Sequence, residues 1–296
     1  MNLFWDLFID SINKKDSFLT DKIVKFHDFF FDWQRQYILK YKPNFIIPKT
    51  MNEKIVWLLH HGDLRVKEKL TNKIDVKNWV SERIGQEYIT KTYAICDSLD
   101  EIDWATIPDR FVIKAAHGCR MNIFILNKNQ FLDQVFNKAK RVTQTWMDID
   151  YSLFCREIQY KNIPHKIMIE ELTIEDSLKM RNDYSFHCIN GKPSFIEHHR
   201  VFNKELIGFT YDLDGKQLDF VIGPKYYKAE FIYPENFEKM IEIAQILSKD
   251  FRYVRVDLRS VYDKLYFGEM TFTPFAGVIP FSDKSVDFEF GKRIIL

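Results

Sequence analysis

The chain has 296 residues, 46% hydrophobic and 29% charged, with a formal net charge of +1. That length suits one large domain or two intimate ones with a sizeable core, and the near-neutral balance excludes a strong field drawing the chain to nucleic acid or an anionic membrane. Four cysteines, Cys96, Cys119, Cys155 and Cys188, lack CxxC spacing, so neither a zinc site nor a disulfide framework is indicated and a reducing compartment is the simple reading.

Met1-Asn2-Leu3-Phe4-Trp5-Asp6 does not read as a signal peptide, and no run approaches the roughly 18 apolar residues of a membrane span; a cytoplasmic protein is predicted. Residues 2–13 and 20–41 carry aromatics at helical spacing and read as amphipathic helices, packed on the body of the protein or lying peripherally at the inner face of a membrane. Pro43 and Pro48 break the pattern, so residues 1–50 form a helical N-terminal segment ahead of a region 51–296. Helices are predicted from Asn52 to Leu59 and, in two pieces, from Val66 to Ile84, ending at Gly85. The adjacent His60 and His61 point to different sides of a helix and make poor joint ligands.

Beyond Gly85 the period changes. Tyr93–Cys96 reads as a strand, and Ser98-Leu99-Asp100-Glu101 as a capping pattern opening a short helical turn. Phe111–Ala116 and Asn122–Leu126 are strands flanking His117-Gly118-Cys119-Arg120-Met121, and Asn129–Trp146 is a helix. Lys166–Leu172 is an apolar, buried strand. Tyr184–Ile189 and Pro193–His198 form a hairpin across Asn190-Gly191, the strongest short hairpin signal in the chain. A helix follows over Pro234–Lys249. The last arms, Tyr253–Arg259 and Leu265–Pro274, make another hairpin with Ser260–Lys264 as its turn. The tally is α+β with hairpin-linked sheets.

Candidate chemistry starts in that last hairpin. With its turn centred on Asp263, Asp257 lies opposite Glu269 and Arg255 opposite Thr271, and all four share a face with Thr273. Two carboxylates facing across a ladder repel by roughly 0.2–1 kcal/mol, and a divalent cation held by oxygen ligands turns that cost into a binding site. The alternative is a solvated polar face in which Arg255 neutralises the acids. Lys114 ends an apolar strand just before a Gly118-containing turn, where an ammonium and backbone N–H groups can meet phosphates, or where a lysine is simply solvated. Glu170 and Glu171 close a buried strand, where a carboxylate needs a partner: a nucleotide amine or ribose hydroxyl, or an arginine.

Lys73, Lys114, Glu170, Asp257 and Glu269, in that order, resemble the ATP-grasp superfamily. From about Pro48 onward the chain resembles the TupA-like ATP-grasp family of bacterial surface-polysaccharide genes. The matching segments are Pro48-Lys49-Thr50-Met51-Asn52-Glu53-Lys54-Ile55, Phe111-Val112-Ile113-Lys114, His117-Gly118, Ile169-Glu170-Glu171, Asn190-Gly191-Lys192-Pro193, Arg255-Val256-Asp257 and Phe267-Gly268-Glu269-Met270-Thr271-Phe272-Thr273-Pro274. The resemblance implies two α+β lobes clamping ATP. It casts Lys73 and Lys114 as phosphate-contacting lysines beside the His117–Gly118 loop. Glu170 would take the adenine amino group, the backbone of Glu171 and Leu172 would form the hinge, and Asp176 would meet the ribose. Asp257, Glu269 and Thr271 would hold Mg²⁺, and Arg255 would stabilise charge on the transferred phosphoryl or acyl phosphate. Arg200, in His198-His199-Arg200, is a candidate for the acceptor or the γ-phosphate, or else a surface arginine.

The departures are local. The family's His-Gly-Ser-Gly loop is His117-Gly118-Cys119-Arg120 here, which removes a glycine suited to positive φ and puts in its place Arg120, which would instead supply a charge to the nucleotide phosphates. Its Asp-Tyr-Lys-Phe is Asp183-Tyr184-Ser185-Phe186, which removes a third lysine. The resemblance implies an ATP- and Mg²⁺-dependent ligase joining a small-molecule or glycan-linked carboxylate to an amine. Alternatives on the same scaffold are a kinase or phosphotransferase on a sugar or amino acid, and a glycosyltransferase-associated nucleotide-binding protein without catalysis.

Overall fold

A computed structural model describes residues 33–296 apart from 34, 174–182, 203–204, 224–226 and 262–263. The chain divides into two compact units, Met1–Asn44 and Phe45–Leu296. In the first, residues 35–39 are helical. The helix expected over 2–13, and most of that over 20–41, lies outside the described residues.

In the second unit the longer helices are α1 (Met51–His61), α2 (Leu64–Thr71), α3 (Asp75–Ile84), α4 (Phe136–Asp148), α5 (Tyr151–Cys155), α6 (Phe237–Ser248) and α7 (Lys284–Arg293). The strands are β1 (Thr92–Cys96), β2 (Phe111–Ala115), β3 (Asn122–Ile125), β4 (Ile167–Glu171), β5 (Asp183–Ile189), β6 (Lys192–Phe202), β7 (Glu205–Tyr211), β8 (Tyr253–Val261) and β9 (Lys264–Thr271). Among the described residues they form a four-stranded sheet, β1-β4-β2-β3, and a five-stranded sheet, β7-β6-β5-β8-β9, with antiparallel pairing in both. Strand β7 and helices α5 and α7 are additions to the sequence reading.

The Thr50–Glu53 segment explains where α1 begins. Thr50 Oγ1 accepts the Glu53 N–H at 3.2 Å and Glu53 Oε2 accepts the Thr50 N–H at 3.0 Å, a reciprocal capping box. Asn52, the second residue of α1, clasps the far end of the chain. Its amide Nδ2 donates to Asp287 Oδ2 at 2.9 Å and to the Ile279 carbonyl at 3.1 Å, while its Oδ1 accepts the Ile279 N–H at 2.6 Å. This docks α1 against α7, and both are roofed by Met51, Ile55, Phe290 and Ile294 in one apolar cluster.

Each sheet packs one face on helices, and one end of the larger sheet's other face carries a second apolar cluster, Ile189, Phe195 and Tyr253. Phe111, Ile113, Ile167 and Ile169 pack with Phe131 and Ala139 on the helical stretch after β3, which passes through one π turn at Phe131–Val135 into α4. In the larger sheet Phe186, Ile196, Val254 and Val256 pack with Met240, Ile243 and Leu247 of α6. Period-two alternation therefore turns the intervening residues of both sheets to the opposite faces. Asn190 and Gly191 join β5 to β6 with φ of 50° and 77°, the left-handed pair that a two-residue hairpin needs.

The β8–β9 hairpin corrects the expected turn. Strand pairing continues to Val261 and resumes at Lys264, so Ser260 belongs to β8. The expected partners are nonetheless found: Arg255 lies opposite Thr271 and Asp257 opposite Glu269. A bulge restores the register, because Leu258 pairs with Phe267 and Gly268 is the extra residue. A Cβ on Gly268 would stand 3.0 Å from the Asp257 carbonyl oxygen, so the bulge leaves little room for a side chain.

Candidate active site

Glu170 on β4 pairs with Val112 on β2 and Thr92 on β1. Lys114 is two residues beyond Val112 and so shares Glu170's face. The carboxylate, on a residue only 3% exposed, forms ion pairs with Lys114 and with Lys77 from α3, and accepts the Thr90 hydroxyl at 2.7 Å. Burial alone would raise its pKa, but Lys114 and Lys77 outweigh burial and hold it at about 2. Burial dominates at Lys77 and pulls the ammonium pKa down. Glu170 thus differs from the sequence expectation: its carboxylate is taken up by two lysines and a hydroxyl. Its neighbour Glu171 instead lines an open cleft of about 800 Å³, together with Lys77, Tyr88, Thr92, Leu265 and Tyr266.

Lys73 stands in the turn between α2 and α3, not on a helix. Its ammonium donates to the Gly118 carbonyl oxygen and its backbone N–H to that of Ala116 at 3.4 Å, which ties the turn to the loop after β2. Burial lowers its pKa, partly offset by Glu269 of the other sheet. His117 faces inward: it is stacked on His165 with centroids 3.9 Å apart, Nε2 is 2.8 Å from the Trp146 carbonyl oxygen, and burial depresses its pKa to about 4. It is a neutral anchor beneath the loop. Gly118 has no room for a Cβ, which would meet Met121 Sδ at 2.6 Å. Arg120 has φ of 59°. The loop therefore keeps its left-handed residue where the family has glycine, at a cost of about 1–2 kcal/mol for an L side chain.

On the larger sheet Arg255 binds the acid pair. Its Nε donates to Asp257 Oδ1 at 2.8 Å; its Nη2 donates to Asp257 Oδ2 at 2.6 Å, to Glu269 Oε1 at 3.2 Å and to Thr271 Oγ1 at 3.3 Å. The Thr271 hydroxyl also donates to Glu269 Oε1 at 3.0 Å. The Asp257 and Arg255 side chains are largely buried while that of Glu269 is 42% exposed, so the cluster is buried at Asp257 and open to solvent at Glu269. Burial raises the Asp257 pKa to about 6 despite Arg255, with Glu269 adding to the rise. Glu269 is held below its usual value, since Arg255 and Lys73 outweigh its burial. One guanidinium against two carboxylates leaves an anionic excess on a low-dielectric surface.

That donor set fits Mg²⁺. It is all oxygen, and Mg²⁺ characteristically takes one or two carboxylates and completes its shell with water and phosphate oxygens. Among the described residues no group of three or more His, Cys, Asp or Glu side chains is placed to hold a metal. The chain offers half a site, suited to a cation shared with phosphates.

Other expected residues fall elsewhere. Arg200 lies on the opposite face of β6 from Glu197 and His199, its guanidinium 4.5 Å over the Phe209 ring and donating to the Tyr211 hydroxyl at 2.8 Å. The alternation of β6 removes it from the acid cluster. Asp176 lies outside the described residues. Leu172 directly follows β4, an interior strand of the smaller sheet. Several residues here went unnoticed in the sequence. Arg259 donates to Asp183 Oδ1 at 2.6 Å and to the Thr173 carbonyl at 3.2 Å, clasping the exit of β4 to the start of β5. Glu157, buried and hydrogen-bonded by Thr273 and Gln159, has its pKa pushed up to about 7 by burial. The alternation of β6 was the available signal for Glu197 and His199.

Several solved structures are similar in fold. The D-alanine–D-alanine ligase from Helicobacter pylori is 17% identical, with 77% of this chain and 61% of that chain covered and a TM-score of 0.43. The D-alanine–D-alanine ligase from Bacillus anthracis complexed with ATP is 11% identical, covering 76% and 66%, at 0.42. D-cycloserine synthetase DcsG is 12% identical, covering 78% and 72%, at 0.42. The chain thus spans about three-fifths of the length of the Helicobacter enzyme. No curated protein matches the sequence. The TupA-like ATP-grasp family model matches residues 53–295, a span that includes both sheets, the lysine-bearing turn and the acid pair. The chain belongs to the TupA-like ATP-grasp family.

Proposed function

We propose that this chain is an ATP- and Mg²⁺-dependent ligase that joins a carboxylate to an amine, in the cytoplasm and in surface-polysaccharide assembly. The supporting observation is the complementarity of the two sheets: a lysine-rich cluster on one, an acid-rich cluster on the other, and Lys73 within electrostatic reach of both. A polyphosphate suits the first and its cation the second.

In this reading Lys73 and Lys114 bind the phosphates, and Lys114 exchanges its hold on Glu170 for them. The adenine lies in the cleft beside Glu171, against the Leu172 hinge, and the ribose meets Asp176. Asp257, Glu269 and Thr271 hold Mg²⁺, which would draw charge off the γ-phosphate. Arg255 turns from Asp257 towards the transferred phosphoryl group and stabilises the charge that develops on it. Arg200 takes no part, because its side chain belongs to the other face.

The test supplies the purified chain with MgATP, a panel of uronic and amino acids, and hydroxylamine as the trapping amine. ADP, phosphate and a hydroxamate, all dependent on the carboxylate, are expected. A stable phosphorylated product formed without any amine would mean a phosphotransferase. No rise in melting temperature with MgATP would mean that the chain does not bind the nucleotide, since a ligand confined to the folded state must stabilise it.

A further inference from the structure

Glu197 and His199 alternate on β6 and face the same side as the acid pair. The in-register rows across the sheet are Glu197–Ser185–Asp257–Glu269 and His199–Asp183–Arg259. Glu197 is 1% exposed, with no solvent to satisfy its charge. Its Oε1 lies 3.1 Å from His199 Nε2, and its Oε2 is 3.5 Å from His187 Nε2. His187 is fixed from behind, with Nδ1 2.9 Å from the Tyr253 hydroxyl and the ring stacked on Phe195. The neighbouring strand leaves space for this arrangement: Gly208 of β7 lies opposite His199, and a Cβ there would come within 2.6 Å of Glu197 Oε1. His199 is the outer member of the group, its side chain 26% exposed.

A carboxylate at Nε2 fixes the imidazole tautomer, placing the proton on that nitrogen and leaving the Nδ1 lone pair free to accept one. Among the described residues no hydrogen bond to His199 Nδ1 is found. Two inter-strand steps separate β6 from β8, about 10 Å, so a substrate reaching from the acid pair towards His199 has room for an acyl group and its attacking amine.

We propose that His199, oriented by Glu197, is the proton acceptor for the amine that attacks the activated carboxylate. The inference rests on the ligase reading above. In the step, the amine nitrogen forms a bond to the carbonyl carbon and the carbon–oxygen bond to phosphate breaks. Phosphate leaves with that electron pair. An alkylammonium sheds two protons overall: the first passes to His199 Nδ1 and frees the nitrogen lone pair for attack, and the second leaves nitrogen with the departing phosphate or to water as the amide forms. The charged and titratable groups facing His199 are Glu197 on its own strand, His187 and Asp183 on β5, and Arg255, Asp257 and Arg259 on β8. Burial and Arg255 lower its pKa, but Glu197 outweighs them and the net direction is upward.

Two nucleophiles separate this role from a structural one. Hydroxylamine is already unprotonated near neutral pH, whereas methylamine must lose a proton before or during attack. With a carboxylate that gives hydroxamate, His199→Gln should lower methylamide formation about 100-fold more than hydroxamate formation, the lower end of what a general base contributes. Glu197→Gln should move the acid limb of methylamide formation to lower pH, because the charge holding the imidazolium is gone. Equal losses with both nucleophiles, no loss with either, an unmoved acid limb in Glu197→Gln, or a wild type that makes hydroxamate but no methylamide at any pH would each overturn the proposal and leave the ligase reading standing. No hydroxamate from the wild type with any carboxylate would overturn both.

Discussion

The two sheets bury charge in opposite proportions. On the smaller one a single carboxylate, Glu170, meets two ammonium groups, Lys77 and Lys114. On the larger one a single guanidinium, Arg255, meets two carboxylates, Asp257 and Glu269. The pKa values follow: Glu170 is held down to about 2 while Asp257 is pushed up to about 6. Neither cluster is neutral, and a buried excess of charge is costly unless something opposite meets it. The cationic excess is matched to phosphate and the anionic excess to a metal ion, so each sheet holds the part of a metal–nucleotide complex that the other repels.

The strongest way to break this comparison is at Glu170. Glu170→Gln leaves two lysines facing a neutral amide and should destabilise the fold by about 3 kcal/mol, read as a lower denaturant midpoint. The same variant tests the pH dependence. The folded-state pKa of Glu170 lies below its unfolded value, so its contribution is full above about pH 4.5 and disappears as the pH falls towards 2. Asp257 runs the other way: its folded pKa is raised, so its contribution is present at low pH and lost as the pH rises through about 6. Glu170→Gln should remove the loss of stability between pH 4.5 and 2 and leave in place the Asp257 effect, a fall in stability as the pH rises from about 4 to about 6.

The acid pair is probed by Glu269→Gln. At a hundred-fold excess over its dissociation constant, MgATP should stabilise the wild type by about 2.7 kcal/mol, and most of the Mg²⁺-dependent part should vanish in the variant. A thermal shift with and without a chelator measures it. Lys77→Met reduces the cationic excess and leaves Glu170 one lysine; a smaller loss of about 1 kcal/mol is expected, together with weaker ATP-induced stabilisation. The smallest effect belongs to the loop beside the lysines. Arg120→Gly removes a left-handed arginine at the price of a floppier unfolded chain, and should raise stability by about 0.5–1 kcal/mol.

How much was legible follows the range of each interaction. Local signals were sufficient for the short turn at Leu99–Glu101 that Ser98 caps, for the Asn190–Gly191 hairpin and for the shared face of Arg255, Asp257, Glu269 and Thr271, since caps, turn conformations and period-two alternation act within a few residues. The register survived an incorrect turn only because Gly268 adds a residue on one side of the ladder. Arg200 was placed beyond a strand ending at His198, whereas β6 runs on to Phe202 and its alternation turns Arg200 to the face opposite Glu197 and His199. What the sequence by itself determined is the order of elements and the polarity of each face. Tertiary structure alone decided the partners: β4 threads between β1 and β2, which brings Glu170 to Lys114 across 56 positions and to Thr90 across 80. Charge pairing at that separation depends on which strands become neighbours, and no local propensity encodes it.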